Sequence, residues 1–283
     1  MSRKLLVVVF SVMVVLAVAV SPVGAITNNW VNDFEHPFVG LVVFYDEAGE
    51  FSHRCSGSLI SPTEFLTAGH CTDGATTARV YFQQDAGANF NGTIDPVSGY
   101  PETCAAGTLG TLCATSDELY NYGFNDFAGF PNTHDAGMVI LDQPIALTEY
   151  GVLASAGALD NLGTARGTKN TVFTVSGYGL TLSTNVNDAN PNISFRSRLM
   201  AASTLVNLNS GNNDGYNLQT QGNGNGRGGT CSGDSGGPVF LGGPESNVIV
   251  AVTSFGLNAL CRGTDFAYRI DRQEVLDWIA NPE

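Results

Sequence analysis

The sequence predicts an all-β protein, a barrel or a sandwich, finished by one C-terminal helix. Three observations predict it. Short runs rich in β-branched and aromatic residues recur between Gly, Pro, Asn and Asp. Gly is abundant at 34 residues while Lys occurs only at Lys4 and Lys169, so charged helix formers are scarce. A convincing helical stripe stands at the C-terminus alone.

The strand-like runs, in chain order, are Phe38 to Tyr45, Phe65 to Ala68, Ala78 to Phe82, Met138 to Leu141, Thr171 to Val175 and Asn247 to Phe255. No helical periodicity separates them, which is the pattern of barrels and sandwiches. In the terminal helix Asp271 is the expected cap, and Glu274 completes a capping-box-like pair. Val275, Leu276, Trp278 and Ile279 then form the stripe that packs on the body. Thr184 to Asn192 and Asn209 to Gly229 read as surface loops. Gly222, Gly224 and Gly226 do not make a phosphate-binding turn, because no strand-to-helix context and no Gly-Lys-Ser/Thr follow.

The N-terminus reads as an export signal over residues 1–25. Arg3 and Lys4 precede an uncharged apolar run from Leu5 to Val20, and Ser21-Pro22-Val23-Gly24-Ala25 supplies the small-residue end. The run is shorter than the roughly 20 residues that span a bilayer, and Pro22 closes it. A secreted chain can keep disulfides, and the six cysteines, Cys55, Cys71, Cys104, Cys113, Cys231 and Cys261, are an even number. Six cysteines allow 15 pairings. No C-x-x-C or H-x-x-x-H pair is present, so no zinc site is expected, and no calcium-ligand spacing is recognisable. The formal charge of −14 argues against nucleic acid and anionic membranes as partners.

The strongest chemical signal is Gly233-Asp234-Ser235-Gly236-Gly237-Pro238. A serine hydroxyl becomes a nucleophile only with a base to take its proton and donors to stabilise the oxyanion. Glycines around it allow a sharp turn with N–H groups facing the substrate. The same pattern fits the nucleophile elbow of α/β-hydrolases, but those enzymes place the histidine after the serine. His36, His53, His70 and His134 all precede Ser235. A subtilisin-like order through Asp33 or Asp46 would need an α/β architecture, which the strand-rich pattern does not support. His70, in Thr67-Ala68-Gly69-His70-Cys71, follows an apolar strand and sits beside a cysteine, so it is the expected general base. His36 and His53 lie in polar surroundings and read as solvated, and His134 is the rival. Asp135 opens the apolar run Met138 to Leu141, where a half-buried carboxylate needs a partner; Asp142 reads as a surface residue.

Taken together, Cys55-Ser56-Gly57-Ser58-Leu59-Ile60, Thr67-Ala68-Gly69-His70-Cys71, Asp135 before its strand and Gly233 to Pro238 resemble the chymotrypsin/trypsin family from about Ile26 to Ile279. Residues 85–130 are the least recognisable. The resemblance implies two antiparallel six-stranded β-barrels, over 26–150 and 151–283. It implies a His70, Asp135, Ser235 triad in the cleft and an oxyanion hole from the N–H groups of Gly233 and Ser235. It also implies the pairs Cys55–Cys71 and Cys231–Cys261, which leaves Cys104 with Cys113. The implied activity is a secreted, monomeric serine endopeptidase acting on proteins or peptides without a cofactor. The alternative is a catalytically silent binding protein on the same fold. By the resemblance Gly229 lies at the floor of the primary pocket, Ser254, Phe255 and Gly256 form one wall, and Asp265 falls on the opposite wall. Cleavage after Ala25 would free Ile26 to pair with Asp234, although Asn28-Asn29 departs from the usual glycine pair.

Overall fold

The computed structural model describes residues 26, 29–89, 100, 112–162, 171–181, 193–221, 227–257 and 261–283. The expected export segment and the loop Thr184 to Asn192 lie outside these residues.

Two β-sheets build the molecule. The first runs in the order β6-β5-β2-β3-β4-β8-β7. Its strands are β2 (Val39–Tyr45), β3 (Phe51–Leu59), β4 (Glu64–Thr67), β5 (Thr77–Tyr81), β6 (Cys113–Ser116), β7 (Glu118–Asn121) and β8 (Gly137–Ile140). Its end strands β6 and β7 are separated in sequence by Asp117 alone, so the chain itself nearly closes the barrel. The Ser116 hydroxyl holds this bend by donating to the Ile140 carbonyl and accepting from the Glu118 N–H. Strand β2, the apolar run Val39-Gly40-Leu41-Val42-Val43-Phe44-Tyr45, is buried along its whole length between β3 and β5.

The second sheet closes completely. Strands β10 (Val172–Gly177), β11 (Leu199–Asn207), β12 (Asn217–Gln221), β13 (Pro238–Leu241), β14 (Val248–Gly256) and β15 (Thr264–Arg269) form an antiparallel ring, closed by the pairing of β11 with β12. Strand β1 (Val31–Asn32) adds to β11, although most of residues 26–150 build the first sheet. Strand β9 (Val152–Leu153) pairs in parallel with β14. Each of the six runs read from sequence lies on a strand within one or two residues. The runs missed, chiefly β11 and β12, are rich in Ala, Ser, Thr, Asn and Gln, so hydropathy does not mark them although most of their residues are buried.

Helix α1 (Gly69–Thr72) is a single turn, and the disulfide Cys55–Cys71 fastens it to β3. Helix α2 (Gln273–Ala280) is the expected terminal helix, and Val275 and Ile279 are its buried residues. Its cap differs from expectation. Arg272 stands at the N-cap and makes no side-chain capping bond; its guanidinium donates to Glu274 and to the Gly215 carbonyl instead. The Asp271 carboxylate is taken instead by the guanidinium of Arg269 at 2.8 Å and by the Leu159 N–H. A buried ion pair outbids a local cap for the same oxygens. Among the described residues, no helix is long and apolar enough to cross a membrane.

The N-terminal segment is locked between the sheets by buried polar groups. His36, expected to be solvated, is 1% exposed, with its Nδ1 on the Asp33 carboxylate at 2.9 Å and its ring stacked on Phe240. Ser176 of β10 donates to the same carboxylate. Arg198 donates to the carbonyls of Asp33, Val39 and Phe82. His53 is half-buried, with Nε2 against the Cys71 carbonyl at 2.8 Å, and burial lowers its pKa. Burial alone would raise the Asp33 pKa, but His36, Arg198 and Ser176 bring it below its ordinary value. That stabilisation is present above the unfolded carboxylate pKa and fades as pH falls through the lower folded value. Replacing Asp33 by Ala strands His36 and removes a negative charge near Arg198, so the expected cost is about 3–5 kcal/mol in urea unfolding at neutral pH. A loss below about 1 kcal/mol would show that the network is not a structural anchor.

Candidate active site

Strand β4 ends at Thr67, and the chain turns directly into α1, which lifts His70 to the junction of the two sheets. Asp135 precedes β8, the neighbour of β4, and is 0% exposed. Its carboxylate accepts the His70 main-chain N–H at 2.8 Å and the Nδ1 side of the ring at 2.9 Å. The Ser254 hydroxyl, from β14 of the second sheet, donates to the same Oδ2. The carboxylate therefore has three donors from two barrels, which is what burying a charge requires. Burial alone would lower the His70 pKa, but the Asp135 charge and hydrogen bond hold it above the ordinary value of 6.5. With Nδ1 committed, the basic position left on the ring is Nε2. His134, the rival base, has its Nε2 within 3.1 Å of the Asn132 amide and does not join this carboxylate.

Ser235 sits in a turn fixed on both sides. Its carbonyl accepts the Ser56 N–H at 2.8 Å, and the next amide, of Gly236, donates to Thr253 at 2.7 Å. Gly236 has φ of 77°, and a Cβ there would lie 2.1 Å from the Thr67 hydroxyl and 2.6 Å from the Ala68 nitrogen. Only glycine lets the serine turn close against the strand that leads to His70. Among the described residues, no hydrogen bond joins Ser235 Oγ to His70 Nε2.

A cavity of about 240 Å³ opens beside Ser235. Ser254, Phe255, Gly256 and Asp265 line it, together with Thr230 and the disulfide Cys231–Cys261. Gly229 is buried and is not part of the lining, whereas Thr230, one residue on, is. The Asp265 carboxylate accepts the Thr230 N–H at 2.8 Å. Burial, with the nearby Asp234 charge adding to it, pushes the Asp265 pKa up to about 7. Phe255 is extended by an aromatic cluster, Phe124, Phe127 and Phe130, that sequence reasoning missed. Phe255 stacks on Phe266 at 4.6 Å, Phe127 and Phe130 meet its other edges, and Phe124 links Phe127 to His70. The spacing of Phe124, Phe127 and Phe130 was the one available signal.

Asp234 is 0% exposed and is bound by the N–H groups of Gly179 and Cys231, at 2.8 and 2.9 Å. No cation pairs with it among the described residues, and burial pushes its pKa up to about 7. Ile26 is buried within the second barrel's apolar cluster, but its nitrogen is here a peptide nitrogen following Ala25. Cys113 is disulfide-bonded, and Cys104 lies outside the described residues. Cys55, Cys71 and His70 approach one another closely, but both sulfurs are committed to the disulfide and are not metal ligands.

Two adjoining β-barrels with a histidine–carboxylate couple at their junction define a chymotrypsin-like fold. A protein-family model described as Trypsin matches residues 31–279, and the chain belongs to the trypsin family. It is 29% identical over 266 residues to Brachyurin from Leptuca pugilator, covering 92% of this chain and 96% of that protein. It is 28% identical over 238 residues to Chymotrypsin from Phaedon cochleariae, covering 82% of this chain and 73% of that protein. Of the solved structures, HL collagenase matches with a TM-score of 0.62 at 20% identity, covering 90% of this chain and 96% of that one, a likeness of fold.

The raised carboxylates give a signed pH dependence for the uncleaved chain. A folded Asp234 or Asp265 with a pKa near 7 holds a proton that the unfolded chain, with carboxylates near 3.8, has released. The native state then binds more protons between about pH 4 and 7, so its stability rises as pH falls through that window. The raised His70 pKa acts in the same direction above 6.5. Thermal unfolding of Ser235→Ala carrying the N-terminal segment should occur at higher temperature at pH 5 than at pH 8, and Asp234→Asn should flatten the difference. A midpoint that climbs from pH 5 to pH 8 would contradict these assignments.

Proposed function

We propose that this chain is a secreted, monomeric serine endopeptidase that cuts proteins or peptides through an acyl-enzyme, needs no cofactor, and uses His70, Asp135 and Ser235. Family membership and protease-named relatives support a peptidase. The observation that most supports the mechanism is the buried Asp135 gripping both the main chain and Nδ1 of His70. That grip sets the tautomer that leaves Nε2 as base.

In this reading His70 Nε2 takes the Ser235 Oγ proton as the hydroxyl attacks the scissile carbonyl. Asp135 stabilises the imidazolium that forms. The Gly233 and Ser235 N–H groups meet the developing oxyanion. The tetrahedral adduct collapses, the imidazolium protonates the departing amine, and a water repeats the sequence on the ester. Asp135→Asn should lower kcat by about 10⁴, the effect expected of a wrongly held tautomer. An active-serine phosphonate should label the processed wild type and not Ser235→Ala. Absence of labelling in processed wild type would favour the silent, binding-only reading.

Activation belongs to the same reading. Cleavage after Ala25 gives Ile26 an ammonium, and Asp234 is a buried carboxylate with only amides for partners among the described residues. Pairing the two would order the Gly233 turn beside it. A processed chain retaining one extra residue before Ile26 should therefore lose most of its activity, and full activity in that form would sink the proposal.

Asp265 on the cavity wall is proposed to receive a basic P1 side chain. A P1 peptide library should show Arg or Lys preferred by the wild type, with the preference lost in Asp265→Gly. A wild type that prefers aromatic or aliphatic P1 residues would overturn it.

A further inference from the structure

Ser56 is one of the most densely connected groups near the nucleophile, and the mechanism above does not use its side chain. It lies on β3 of the first barrel and is 0% exposed. Its main-chain N–H donates to the Ser235 carbonyl at 2.8 Å. Its hydroxyl donates to the Gly233 carbonyl at 2.8 Å and accepts the Tyr178 N–H at 2.9 Å.

The peptide units of the turn show what that hydroxyl does. The Ser235 N–H belongs to the unit whose carbonyl, on Asp234, is held by the Gly237 N–H at 2.8 Å. The following unit is held by Ser56 N–H at one end and by Thr253 at the other. The unit between Gly233 and Asp234 lies between the two oxyanion donors, and among the described residues its carbonyl is held by the Ser56 hydroxyl. The other end of the unit, the Asp234 N–H, donates to the Cys231 carbonyl at 2.9 Å, and Gly233, with φ of 94° and no side chain, adds no restraint of its own. On its far side the hydroxyl grips Tyr178, next to Gly179, whose N–H binds the Asp234 carboxylate. One hydroxyl thus ties the oxyanion turn to the strand end that carries the Asp234 support.

We propose that Ser56, through its hydroxyl, is a positioning residue for the oxyanion site: it fixes the carbonyl side of Gly233, while the Leu180 N–H holds the Ser232 carbonyl on the other side, so that the Gly233 N–H faces the developing negative charge. The inference rests on the serine-peptidase reading. Without the hydroxyl the Gly233 carbonyl and the Tyr178 N–H both lose a partner in a buried seam, and the Gly233–Asp234 peptide is held at its Asp234 end alone. Charge stabilisation in the transition state falls, while ground-state binding of the peptide does not.

The test uses processed wild type, Ser56→Ala and Ser56→Gly, both variants keeping the main-chain N–H. Rates are expressed per phosphonate-titrated Ser235, so misfolded material does not count. The expected result is a loss in kcat of about 10- to 100-fold, the size of a weakened oxyanion donor, with KM changed little. A peptide aldehyde, which forms a tetrahedral adduct with the serine, should lose affinity in proportion. The same peptide ending in an amide should bind as before. Unchanged kcat and aldehyde affinity, with only a lower unfolding temperature, would overturn the inference and assign the hydroxyl to the fold. Failure of both variants to fold would overturn it in the same way. If processed wild type itself is not labelled by phosphonate, the peptidase reading fails first. If wild type is labelled and the variants match it, the Ser56 inference fails alone.

Discussion

The structure turns on one buried charge, the carboxylate of Asp135. It is fully withdrawn from solvent and yet is held by His70 twice and by Ser254 once. The two donors from His70 come from α1 of the first barrel, and the third comes from β14 of the second. Removing a carboxylate from water is tolerable only when donors of this kind replace the water. The charge therefore requires α1, the start of β8 and the middle of β14 to meet at one point. That requirement brings a histidine from one barrel to a cavity lined by the other. The Cys55–Cys71 bond limits how far α1 can stray from β3 while this happens.

The seam between the barrels works by close backbone approach. Gly236 permits the serine turn to lie against Thr67 and Ala68, and the Ser56 N–H and hydroxyl stitch the same turn to β3. Asp234 sits behind that turn with two amide donors and no cation among the described residues. Its position is electrostatically unfinished in a way that Asp135 and Asp33 are not. Asp33 has His36, Ser176 and Arg198 around it and keeps a lowered pKa, whereas Asp234 and Asp265 are pushed up to about 7. Buried carboxylates in one molecule thus differ in their partners, and the partners decide the direction in which Asp33, Asp234 and Asp265 are shifted.

Much of this was legible in the sequence, for identifiable reasons. The strand runs declared themselves where both faces of a strand are apolar, as in β2, and stayed hidden where small polar residues fill the interior, as in β11. His70, Asp135 and the Ser235 turn were legible because local chemistry surrounds each: a cysteine, an apolar strand and glycines. Groups defined by distant partners were not. Ser254 read as a pocket wall, and its bond to Asp135 spans 119 residues. His36 read as solvated because its neighbours in sequence are polar, while its neighbours in space are Phe240 and the Ser246 carbonyl. Asp271 read as a helix cap because the cap rule is local, and Arg269 with the distant Leu159 N–H claims it. The aromatic cluster of Phe124, Phe127 and Phe130 forms only once a first-barrel loop meets Phe255 of the second.

The central claim is that a buried, charged Asp135 sets the state of His70, and the imidazole titration tests it most directly. The His70 ring can be followed by NMR across neutral pH in wild type and in Asp135→Asn, with the other three histidines as internal references. The account predicts a wild-type midpoint above 6.5 that falls when the carboxylate is replaced by the amide. A wild-type midpoint at or below 6.5, unmoved by Asp135→Asn, would contradict it.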